Sequence, residues 1–187
     1  MIFCRYPISL DDIIMFSANT KIIPYNIDEL IREMKIEIHY RDELRYIDTV
    51  CEVMFETYEN KHSIAKIIIK NKLPNRIRRF LLARALYYAI YDPDKKRNSK
   101  LNSSYIFFTI ELTNPYYFKN DIDANAFALD LLIPDRELEK RKEVISDSIS
   151  YDTLQILAEY FDVTLEMMIA QLYYKGWYDY EQEQANR

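Results

Sequence analysis

Two histidines and a carboxylate can grip a divalent cation, and this chain holds only two histidines, His39 and His62. Each lies beside charge, in IEIHYRDE and ENKHSI, where a solvated or hydrogen-bonded imidazole is the simpler reading. A joint site would require the surrounding strands to pair. The two cysteines, Cys4 and Cys51, match no metal or redox spacing and read as buried, reduced thiols. Asp121 and Asp123 stand two apart in NDIDANAF. A pocket that raised one pKa would make them an acid–base pair; the start of a helix, which favours carboxylates, accounts for them equally well. Arg84 is a lone cation in the middle of an apolar run, within RRFLLARALYYAIYD (78–92). The only glycine is Gly176. Phosphate-cradling loops need glycines for close backbone approach, so Rossmann and P-loop chemistries are excluded.

The elements that would position these residues follow from periodicity. NIDELIREM reads as a helix capped by Asn26, preceded by a short helix over residues 10–18. KIEIHY alternates charged and apolar residues as a strand does. Residues 45–58 fit helix or strand. SIAKIIIKN is a further strand, and YIFFTIEL another. Between them Pro74 breaks the chain, Asn75 can cap, and residues 76–91 show helical spacing through Ile77, Phe80, Leu81, Ala85 and Tyr88. DIDANAFALDLLIP is an apolar helix stopped by Pro134, with Asn120 a candidate cap, and DRELEKRKEVI a charged one. Two short helices close the chain, the second capped by Thr164 and ended by Gly176. The pattern is α+β, with a small mixed or antiparallel sheet packed with helices. One domain is expected over residues 1–176, with the helix pair 150–176 packed on it and 177–187 as a polar tail.

Composition narrows the class. Hydrophobic residues make up 49% of 187, enough for a core, and 17 Tyr and 9 Phe must carry much of its packing. A net charge of -5 argues against broad nucleic-acid binding, although Arg76, Arg78 and Arg79 form a local basic cluster. The closing helix LEMMIAQLYYK has one Lys and no Arg, poor equipment for phosphate contacts. No apolar stretch reaches ~18 residues and the N-terminus has no signal-peptide pattern, so a cytoplasmic protein without membrane association is expected.

Three segments, in order, resemble the ImmA/IrrE family of metallopeptidases. The stretch IIIKNKLPNRIRRFLLARALYYAIYD is similar to the family's strand and helix ending in R-R-F-T-L-A-H-E-L-G-H. DIDANAFALDLLIP is similar to E-x-E-A-N-x-F-A-x-x-L-L-M-P, and LQILAEYFDVTLEMMIAQLYYKG to the family's closing helix pair. The resemblance implies a zincin-like, gluzincin-type core. It also places the family's ligand, base and second ligand on Arg84, Ala85 and Tyr88, and its third ligand on Asp121. Arg has no lone pair to give, Ala moves no proton, and a phenol stays protonated below its ordinary pKa of about 10. The expectation is therefore a degenerate member with no catalytic residues, no metal and no cofactor. It would be a regulatory protein that binds another protein, and the resemblance implies a bacterial phage, mobile-element or toxin–antitoxin setting. The partner would be a DNA-binding repressor, a toxin or an antitoxin. The alternatives are a metal-dependent endopeptidase of repressors using a non-standard site, and a DNA-binding regulator acting through the closing helices. A further expectation concerns the vacated site. Arg84 should pair there with Asp121, or failing that Asp123, with Tyr88 one turn along the same face, and these four residues would form whatever binding surface remains.

Overall fold

A computed structural model describes residue 24 and residues 26–44, 48–57, 63–91, 104–108, 121–141 and 149–178. The expected helix over residues 10–18, His62, Cys4 and the polar stretch after Asp92 lie outside them.

Helix α1 (Ile27–Glu33) starts where Asn26 accepts a hydrogen bond from the Glu29 N–H at 3.3 Å, and it buries Ile27, Leu30 and Ile31. Strands β1 (Glu37–Arg41), β2 (Thr49–Thr57) and β3 (Ser63–Lys70) follow, then α2 (Asn75–Tyr91) and β4 (Ser104–Phe108). The sheet order is β1-β3-β2-β4. β1 runs parallel to β3, while β2 is antiparallel to both its neighbours, so the sheet is mixed. The segment left open between helix and strand is β2. Val50, Val53 and Met54 fall at helical spacing, while Cys51, Val53 and Phe55 fall at strand spacing. Pairing on both sides, with Ile67 and Ile69 of β3 and with β4, decides the matter.

One face of the sheet presents Cys51, Val53, Phe55, Ala65, Ile67 and Ile69, all buried in the main core with α2. Helix α2 is apolar nearly all round: Phe80, Leu81, Leu82, Ala83, Ala85 and Leu86 are each at most 1% exposed. A helix of that kind must sit between layers, and α2 lies between the sheet, α1 and α3 (Ile122–Leu132). Asn75 is its first residue rather than its cap; its side chain accepts from Arg78 at 2.7 Å.

After α3, the Pro134 carbonyl accepts from the Glu137 and Leu138 N–H groups to open α4 (Asp135–Glu139). This is shorter than the charged helix expected over 135–145: a turn follows at Lys140 and Arg141, and residues 142–148 are not described. Helices α5 (Tyr151–Phe161) and α6 (Leu165–Tyr174) are capped by Ser150 and Thr164, as the sequence predicts for Thr164. Gly176 takes φ 69° to turn the chain back, and the Trp177 N–H closes onto the Leu172 carbonyl at 2.9 Å. Trp177 and Tyr178 pack against the core, so the folded body reaches slightly past Gly176.

Candidate functional site

Arg84 sits at mid-helix on α2 and is 4% exposed. Burial of a permanent cation demands a partner. Its guanidinium donates to Oδ2 of Asp121 at 3.1 Å. Tyr88, one turn further on and on the same face, donates its hydroxyl to the same oxygen. The carboxylate sits just before α3, with its side chain about one third exposed. Asp121 adopts the left-handed conformation, φ 58° and ψ 52°, which short polar residues tolerate best. Its side chain makes no capping bond to α3; its main-chain carbonyl accepts the Asn125 N–H at 3.1 Å. The carboxylate is thus turned away from its own helix toward α2, and the α3 N-terminus still favours its charge.

Of the four candidate residues, Arg84, Tyr88 and Asp121 meet. Asp123 does not join them: it is exposed in the first turn of α3. Ala85 is fully buried in the core. Two residues that spacing did not single out feel the Arg84 charge. Burial pushes the Tyr174 phenol on α6 up to about 12, and Arg84 opposes that shift. Burial also pushes the Cys51 thiol on β2 up, again with Arg84 pulling it down. The guanidinium therefore stands where the sheet, α2, α3 and α6 converge. No local pattern in QLYYK marks Tyr174, because its role depends on how α6 docks.

A zinc ion does not fit this arrangement. The guanidinium occupies the position that would offer a lone pair, and it neutralises the Asp121 carboxylate. Among the described residues no three His, Cys, Asp or Glu side chains gather in one place. His39 lies on β1, at the far edge of the sheet from β4, hydrogen-bonded to Glu37 at 3.0 Å.

The basic cluster at the start of α2 is used inside the protein. Arg79 is 5% exposed and donates to the Phe161 carbonyl at 3.1 Å, the Asp162 carbonyl, and the Asp162 carboxylate at 3.0 Å. Arg76 and Asn75 bind the same carboxylate at 3.1 and 2.9 Å. Burial pulls the Arg79 pKa down from its usual range, and Asp162 offsets part of that. Helix α6 buries Met167, Met168, Ala170 and Leu172 in the core and carries no Lys or Arg. No helix of the described residues is long and apolar enough to cross a membrane.

Searches of the curated proteins and of the solved structures return no match. The strand, the buried helix, the acidic turn and the closing pair lie in the order that the resemblance implies. The sequence model of the IrrE N-terminal-like domain (Peptidase_M78) matches residues 28–173, well over half of the chain, and the chain therefore belongs to that peptidase-like family.

Proposed function

We propose that this chain keeps a peptidase fold for binding another protein and does not cleave peptide bonds. The observation that carries the reading is the Arg84–Asp121 pair with Tyr88 bound to the same oxygen. Hydrolysis at this place would need an electrophile to polarise the scissile carbonyl and a base to take a proton from water. Arg84 offers charge but no coordination, its charge is already matched by Asp121, and Ala85 has no proton acceptor. What persists is a stable scaffold beside a sheet edge. β4 is the last strand on its side, and among the described residues no strand pairs with its outer edge. An extended segment of a partner can add there as a further strand, with backbone hydrogen bonds supplying affinity. The partner we propose is a repressor, toxin or antitoxin in the cytoplasm of a bacterium carrying mobile elements, a class taken by analogy from the family resemblance.

The test combines metal content with hydrolysis. Protein purified without chelator should carry far less than one zinc per chain. Added zinc, cobalt or manganese should produce no cleavage of a mixed peptide library. Stoichiometric zinc, or metal-dependent cleavage lost in Asp121→Asn, would overturn the proposal. For the binding mode, amide exchange with and without a captured partner should show new protection along residues 104–108; protection confined to other elements would count against the strand-edge mode.

A further inference from the structure

The opposite edge of the sheet points to a second contact, independent of the site above. β1, with the sequence EIHYR, is the outer strand beside β3, and no strand among the described residues pairs with its free side. The Arg41 carbonyl accepts from the Asn71 N–H at 2.8 Å, so the Arg41 main chain faces β3. Main-chain direction alternates along a strand. Glu37 and His39 therefore face β3 as well, and the N–H and C=O groups of Ile38 and Tyr40 face outward. The side chains are accessible too: Glu37 is 52% exposed, His39 44% and Tyr40 40%.

We infer that this edge pairs with the same edge of a second copy, antiparallel about His39, to join two sheets into one. The strand is its own complement in that register. Glu37 lies opposite Arg41 of the second copy, Ile38 opposite its Tyr40, and His39 opposite its His39. The outward groups of Ile38 and Tyr40 then exchange hydrogen bonds as two narrow pairs, which uses every outward main-chain group of both residues. Glu37 and Arg41 fall in the close, non-hydrogen-bonded positions, where opposite charges stabilise and like charges oppose pairing.

The neighbouring registers are disfavoured. Centring on Ile38 sets Lys35 against Arg41, and centring on Tyr40 sets Glu37 against Glu43 and Ile38 against Asp42. Charges on an edge strand usually deter pairing altogether. Here they deter the wrong registers and favour one. Within the chain, Arg41 sits in register with Lys70 on β3, so one side of it already meets like charge. Glu37 sits in register with Lys66, whose ammonium is 3.7 Å away. An acid arriving on the free side of Arg41 relieves the crowding of positive charge.

The experiment is sedimentation velocity on the full chain over a wide concentration range, with circular dichroism to check that each variant is folded. The expected result is a concentration-dependent monomer–dimer equilibrium. Glu37→Arg alone and Arg41→Glu alone should each weaken the dimer by about tenfold or more, since each sets like charges against each other twice. Mixing the two single variants should restore association, as a heterodimer, and the double variant should restore the homodimer. A chain that stays monomeric at every concentration, a dimer indifferent to both single changes, or single variants that fail to associate when mixed would each overturn the inference.

Discussion

Arg84 holds its position because the charge it brings into the core is answered by the Asp121 carboxylate, which also accepts the Tyr88 hydroxyl. Removing the carboxylate takes that counter-charge away from a buried guanidinium. Asp121→Asn keeps the tolerance for φ 58° and the side-chain size, so it isolates charge from backbone strain. It should lower stability by about 3 kcal/mol. Arg84→Met should cost less, because Asp121 reaches water. The double variant should be more stable than the sum of the two losses by about 1 kcal/mol or more, measured by urea unfolding. Additive losses would mean that the two side chains act separately. The pairing was legible through the family resemblance, which places Arg84 and Asp121 at two ligand positions of one site; helix spacing adds only that Tyr88 shares the Arg84 face. The left-handed turn at Asp121 was not, since nothing local distinguishes it from an ordinary cap. Alkaline pH gives a second check. The Cys51 and Tyr174 pKa values are both raised by burial, the first from 9.0 and the second from 10.0. Above pH 9 the unfolded chain loses these protons before the folded one does, so stability falls as pH rises and is fully present below that. The urea midpoint should drop between pH 8.5 and pH 10.5, and Cys51→Ala should flatten the first part of that drop; an unchanged slope would show that the thiol titrates alike in the folded and the unfolded chain.

At the scale of elements, α2 is fastened at two levels: its C-terminal half through Asp121 to α3, and its first turn through Asp162 to the turn between α5 and α6. Asp162 has φ 50° and caps α5 while its carboxylate receives Asn75, Arg76 and Arg79. Asp162→Asn should cost about 2–3 kcal/mol, mostly through the buried Arg79, a little less than a fully buried pair because Asp162 is partly exposed. Arg76→Ala, at the half-exposed end of the same cluster, should cost under about 1 kcal/mol. Equal losses for the two would show that the clamp is a surface network. Thr164→Ala should remove about 1 kcal/mol through its lost bond to the Met167 N–H, visible as a lower melting temperature. The caps at Asn26 and Thr164 could be read in advance because capping is local. The clamp could not, because the arginines and Asp162 are more than eighty residues apart. The same distance explains β2: its strand character comes from partners on either side, not from its own spacing.

Among the described residues one core runs from Ile27 on α1 to Leu172 on α6, so the closing helices are part of the fold. The α+β class was legible from alternating strand and helix periods. The strand order was not: that β1 runs parallel to β3 while β2 inserts antiparallel beside them depends on connections that no local pattern encodes. One consequence separates a packed helix pair from a detachable DNA-reading module. Leu154, Leu157, Phe161, Met167, Met168 and Leu172 are each at most 2% exposed. Burying a side chain of this size contributes about 1.5–3 kcal/mol, so these six contribute about 9–18 kcal/mol, against about 5–15 kcal/mol for the net stability of a typical domain. A chain ending at residue 148 should therefore not fold. It should keep part of its far-ultraviolet circular dichroism, lose the near-ultraviolet signal of its many tyrosines, and unfold in urea without a cooperative transition. The isolated segment 149–178 should be largely unstructured as well, because its apolar face has lost its sheet and helix partners. If the shortened chain gives a sharp two-state transition, the helix pair is an appendage and the single core is wrong. Loss of cooperativity in both pieces, with recovery only when they are joined, means that the site at Arg84 and the closing helices stand or fall together. Tyr174 on α6 feels the Arg84 charge; a partner gripping those helices would act on the site through the same packing that holds the domain together.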